Sequence, residues 1–167
     1  GVPIAAVQYG TSADEWIWAL AVDSADNVVL AGSTSGDLFA ANQGVYDGFA
    51  AKVATDGTLL WAAQHGTRGD DGIRALAVDS ADNVLMGGTS DGGLFAVNAG
   101  SHDAVFAFLG PDGGILRQDQ FGSTGYDVVD SVAVASTGGI VLAGFTGGDV
   151  AGPNQGNLDA FLIALDP

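Results

Sequence analysis

The ten residues ALAVDSADNV fill positions 19–28, and the same ten fill positions 75–84. An altered version, SVAVASTGGI, stands at 131–140. Each start lies 56 residues after the one before, and shifting the whole chain by that period aligns it without a gap. Gln8, Gln64 and Gln120 then coincide, as do Gly32, Gly88 and Gly144, Asn42, Asn98 and Asn154, and Asp47, Asp103 and Asp159. A fixed period of this size is the sequence signature of a repeat architecture, in which each unit is one supersecondary element that stacks on its neighbours.

Within a unit the local signals are those of strands. WIWALAVD (16–23) is short, apolar and rich in residues that suit a pleated surface. SADN (24–27) has turn chemistry, and VVLAGST (28–34) reads as the returning strand of a hairpin. After a Gly-rich loop at 35–46 come a third strand in DGFAAKVA (47–54), a turn at TDG (55–57) and a fourth strand in TLLWAAQ (58–64). No segment joins a helix start signal to a long run of 3.6-residue periodicity. Four antiparallel strands at this period predict an all-β chain of propeller blades. Small residues on the first two strands suit blades that taper toward an axis. A parallel β-solenoid is the rival, but its rungs repeat at roughly 20–30 residues.

Composition narrows the function classes. The chain has 167 residues, enough for a real core, and 47% are apolar, which argues against disorder. Its 27 glycines follow no collagen period and point to many tight turns. Asp and Glu number 20 against 4 Lys and Arg, a net charge of −16. Such a surface repels phosphate backbones and anionic membranes, so nucleic acid and membrane insertion are not expected. No apolar run reaches the ~18–20 residues of a membrane helix. Cysteine is absent, which excludes disulfides and thiol chemistry. The first residue is Gly1, as in a processed chain or an excised piece.

GTRGDDGIRALAVDSADNV (66–84), Gly87–Gly88 and DAVFAFLGPDGGILRQDQFG (103–122) resemble the SBBP family of bacterial β-propeller repeats. The likeness runs through three units and nearly the whole chain. It implies a propeller within a bacterial secreted or cell-surface protein, hence an extracellular or cell-surface location. It names no ligand and no reaction. Asp26 and Asp82 depart from the family, which tends to have Gly there, and Ala135 stands where the first two units have Asp23 and Asp79.

One arc over 1–167 is expected, with units at 4–58, 59–114 and 115–167. IAAVQYG (4–10) matches the outermost strands LLWAAQHG (59–66) and ILRQDQFG (115–122), whereas DAFLIALD (159–166) is a third strand. Three blades cannot close a ring, since propellers have about 4–8. Either the chain belongs to a longer propeller, or copies join head to tail, each lending strand 4–10 to the 159–166 edge of the next. The second arrangement predicts a dimer forming one six-bladed ring, closed by Ile4, Val7 and Gln8 against Phe161, Ile163 and Leu165.

Two residue sets are candidates for ligands. Glu15, Asp71 and Asp127 each precede a first strand. A ring of them would suit a hard cation such as Ca²⁺, and capping of turn amides is the competing role. Asn42, Asn98 and Asn154, with Tyr46 and His102, lie in the long loop of each unit, where a sugar could stack on an aromatic. Packing of the loop is the alternative there. No nucleophile motif, phosphate loop or paired-His metal spacing appears, so no catalysis and no obligatory cofactor are expected. A non-catalytic interaction module that forms homo-oligomers is the leading expectation, with protein or glycan partners. A lectin-like propeller is the alternative. A hydrolase using acids such as Asp70 and Asp71 is a weaker one.

Overall fold

The computed structural model describes residues 6–166, and every regular element among them is a strand. The first sheet contains β1 (Glu15–Val22), β2 (Val28–Thr34), β3 (Asp47–Val53) and β4 (Leu59–His65). The second contains β5 (Asp71–Val78), β6 (Val84–Ser90), β7 (Asp103–Leu109) and β8 (Ile115–Phe121). The third contains β9 (Asp127–Val134), β10 (Ile140–Thr146) and β11 (Asp159–Leu165). Strands follow chain order and pair antiparallel throughout, giving sheets of four, four and three strands. The described residues form no closed ring. Ala6–Gly10, expected to be an outermost strand, belong to no strand, and Ile4 lies outside the described residues.

The repeated decapeptide closes a hairpin. Asp23 Oδ1 accepts hydrogen bonds from the amides of Ala25 (3.0 Å) and Asn27 (2.8 Å), and Oδ2 accepts one from Asn27 Nδ2 (2.9 Å). Asp79 does the same for Ala81 and Asn83. Local side-chain bonds of this kind hold a turn without tertiary help. The tip takes a left-handed residue, Asp26 and Asp82 at φ 62° and Gly138 at φ 89°. The third unit therefore makes its turn with Gly where the others use Asp.

Alternation along the strands gives each sheet a rear face toward the preceding sheet and a forward face toward the next. Val29, Ala31 and Ala50 project forward onto Ile73, Val84, Met86 and Leu109 of the second sheet. Leu85 and Phe106 project forward onto Val129, Ile140, Leu142 and Phe161 of the third. With both faces covered, the second sheet is buried on both sides and carries apolar runs rather than a polar alternation. β1, β5 and β9 pack in succession, which places the fourth strands at the periphery. Gly32, Gly88 and Gly144 let the second strand of each sheet lie close against the irregular register of its own first strand. A Cβ on Gly88 would lie 2.0 Å from the Gly72 carbonyl oxygen, beside the bulge between Ile73 and Ala75.

Polar bonds also join the sheets. Lys52 Nζ and Trp61 Nε1 both donate to the Pro111 carbonyl of the second sheet, at 3.3 and 3.0 Å. Ser24 donates through its amide and its hydroxyl to the Asp82 carboxylate, each at 2.8 Å. Arg74 Nη1 lies 3.3 Å from Asp130 Oδ1 of the third sheet, a half-exposed pair.

Candidate functional site

The two outer faces of the stack are where equivalent residues differ most. Ile17, Ile73 and Val129 share one repeat position on the rear face. Ile17 is 57% exposed, whereas the other two are 5% and 0% exposed. Forward-facing Phe106 is 2% exposed and its counterpart Leu162 is 67% exposed. The rear face of the first sheet thus presents an apolar surface, and so does the forward face of the third. Val7, Gln8 and Tyr9 lie across the first of these and enclose a cavity of about 620 Å³ with Ile17, Leu30 and Phe49. Of the expected closure residues, Val7 and Gln8 are on that face. Phe161 is buried against the second sheet, with Ile163 and Leu165 packed around it. The exposed groups on the third sheet are instead Leu162 and the outer edge of β11, which pairs with no strand among the described residues.

Each complete unit locks its long loop with one glutamine. Gln64 Oε1 accepts the amides of Phe39 (2.9 Å) and Ala40 (3.3 Å), while Nε2 donates to the Gly36 carbonyl and to Asp47 Oδ2, both at 3.0 Å. Gln120 repeats this with Leu94, Phe95 and Ala96, Gly92 and Asp103 Oδ2. Asp47 and Asp103 are fully buried beneath these amides. In the third unit Asp159 still accepts the Gln155 backbone amide at 2.6 Å, but no glutamine side chain reaches it among the described residues.

The loop asparagines hold their own loops. Asn42, Asn98 and Asn154 accept the amides of Gly44, Gly100 and Gly156 at 2.9, 2.7 and 2.9 Å, and their Nδ2 groups donate to nearby carbonyls. Glu15, Asp71 and Asp127 are likewise engaged locally. Each accepts the amide and hydroxyl of the residue four before it, Thr11, Thr67 or Ser123. The Thr11 hydroxyl holds the Glu15 carboxyl below its ordinary value, against a smaller opposing effect of burial. Burial pushes Asp71 up, outweighing its bonds from Thr67, and the nearby Asp91 charge adds to the rise.

Tyr46 and His102 do meet in one place. They line a cleft of about 180 Å³ together with Trp16, Trp18, Asp71 and Tyr126. Tyr46 lies 5.4 Å from the Trp16 ring and His102 lies 4.4 Å from Tyr126. The Arg74 guanidinium stands over Trp18 at 5.2 Å. Asp71 Oδ1 and Arg74 Nε, both buried, have no hydrogen-bond partner among the described residues. Asp70, Asp91 and His102 offer ligand atoms within 4.8 Å of one another, a donor set suited to a borderline cation. Leu158, the third member of the Tyr46 position, is exposed on the outer face of the third unit.

Sequence reasoning missed Trp16, Trp18, Arg74 and Tyr126 as lining residues. Their signal was variation. Trp18, Arg74 and Asp130 share one repeat position, and Asp14, Asp70 and Tyr126 share another. A position the fold does not dictate is free to serve contacts. Comparison with known protein families and with curated proteins finds no match to this chain.

Proposed function

We propose that the chain is a three-bladed propeller arc, a non-catalytic interaction module of a secreted or cell-surface assembly. It associates head to tail with copies of itself, two copies making a six-bladed ring. The observation that carries this reading is the contrast between Ile17 at 57% exposure and Ile73 at 5%, at one repeat position. Burying a large aliphatic side chain is worth about 1.5–3 kcal/mol, and Ile17, Leu20 and Val22 are bare on the first sheet and Leu162 on the third. Patches of this kind mark interaction surfaces. The rear face of the first sheet and the forward face of the third are the two halves of an interface that the molecule already builds twice internally. A heterologous contact of that type continues until the rotation closes. Sedimentation equilibrium tests the reading. A species of twice the chain mass at tens of micromolar is expected, and a monomer throughout that range overturns it.

The aromatic cleft supports a second reading, a small polyol or saccharide ligand. Asp71 and Arg74 both line this cleft, and among the described residues the buried Asp71 Oδ1 lacks a donor and the buried Arg74 Nε lacks an acceptor. A hydroxyl supplies both functions, and Trp16, Trp18 and Tyr126 offer flat apolar surfaces for a sugar ring. A glycan array gives discrete hits that Trp18→Ala abolishes. A blank array removes this reading and leaves the first untouched.

A further inference from the structure

We propose that the junction between two copies is a reciprocal polar latch, an inference that rests on the self-association just described. Gln8 of one copy fills the empty loop socket around Asp159 of the other. Ser136 of that other copy donates to Asp26 of the first.

The socket half follows from the repeat. Gln64 and Gln120 each bridge two or three loop amides, a loop carbonyl and a buried aspartate. The same groups recur in the third unit as the amides of Val150, Ala151 and Gly152, the Gly148 carbonyl and Asp159. Gln8 occupies the matching repeat position, is exposed, and makes no side-chain hydrogen bond among the described residues. Its segment is already seated as the fourth strands are on the sheet after them. Val7 lies against the Gly57 turn, where Trp61, two residues earlier in the repeat, lies against Gly113. Tyr9 meets Phe39 at 5.8 Å, and Phe39 meets Phe49 at 5.7 Å. Phe121 and Phe161, the repeat mates of Tyr9 and Phe49, meet directly at 5.9 Å. A third sheet slid behind this segment would gain a fourth strand and a glutamine together.

The second half rests on different residues. Ser24 of the first unit grips Asp82 of the second through two bonds of 2.8 Å. The next such pair is broken, because Ser80 would face Gly138, which has no side chain. Yet both outer ends keep their members, Ser136 on the third unit and Asp26 on the first. Both are exposed and bond to no side chain among the described residues. Asp26 holds a left-handed backbone at φ 62°, where glycine serves the third unit well. A non-glycine residue in that region costs of order 1 kcal/mol, which a partner hydroxyl and amide would offset. An unrelated apolar partner, or another stretch of polypeptide, would use the bare faces without requiring Gln8, Asp159, Ser136 and Asp26 at these four places.

The test is the dimer dissociation constant of the full chain, measured by sedimentation with and without single substitutions. Each substitution falls at both junctions of the ring, so Gln8→Ala and Ser136→Ala are each expected to weaken association about a hundredfold or more, twice the free-energy range for one bond to a charged group. Melting of the dilute monomer stays unchanged, since both residues are exposed there. Mixing Ser136→Ala chains with Asp26→Ala chains restores one intact junction, so the mixture associates more tightly than either variant alone. If the wild type dimerises while these variants and the mixture match it, the latch is wrong and self-association stands. If the wild type stays monomeric, both fall.

Discussion

Lys52 Nζ stands 2.8 Å from Asp23 Oδ2, with both side chains almost wholly buried. Asp23 belongs to the repeated decapeptide and caps its turn, while Lys52 comes from β3, so the pair ties a local turn to the body of the first sheet. The third unit lacks the aspartate and the second has Phe108 in place of the lysine. The ion pair is therefore particular to the first unit.

Removing one member of a buried pair strands the other. Lys52→Met is expected to cost about 3–5 kcal/mol of unfolding free energy in urea. Asp23→Asn in the Lys52→Met background recovers part of that loss, because the charge is gone and the turn keeps an acceptor.

Acid sensitivity carries a sign. Burial raises the Asp23 pKa, but the Lys52 ammonium, the Asn27 side chain and two turn amides outweigh it and hold the carboxyl well below its ordinary value. A depressed folded pKa adds stability above the unfolded value of about 3.9 and loses it as pH falls toward the folded value. The stability gap between wild type and Lys52→Met should thus narrow below about pH 4, read from urea titrations at several pH values. Asp71 behaves oppositely. Its raised pKa costs stability as pH rises from the unfolded value through the folded one. In Asp71→Asn that pH-dependent loss disappears.

Much of this was legible beforehand. The 56-residue period, the strands and the DSADN turn follow from short-range patterns, and all the turns fall where Gly, Asp and Asn mark them. Gln64 and Gln120 recur in the sequence, but their function as loop locks depends on groups 24–28 residues away in the chain.

Gln120→Ala removes five bonds at once and leaves buried Asp103 with only the Ala99 amide as donor. A loss of about 2–4 kcal/mol is expected in urea unfolding, with the 92–102 loop exchanging its amide hydrogens fastest. Gln8→Ala in the dilute monomer should cost almost nothing.

Gly88→Ala would drive a Cβ into the Gly72 carbonyl oxygen at 2.0 Å, in the middle of the molecule. Backbone cannot yield as a side-chain tip can, so a loss of more than about 3 kcal/mol or failure to fold is expected. By contrast, Asp130→Ala breaks a half-exposed pair and should change stability by less than about 1 kcal/mol.

The sequence by itself determined the period, the strand and turn positions, and which residues share a place in the repeat. These depend on chain-local forces: alternation, turn hydrogen bonds and glycine's conformational range. Only the tertiary structure decided what equivalent residues do. Ile17 and Ile73 stand at one repeat position, yet one is bare and the other covered, because burial belongs to the neighbouring sheet and not to the residue. The same holds for the cleft of Trp16, Trp18, Tyr46 and Tyr126. Those side chains meet only once three sheets are stacked, so no window of sequence contains them together.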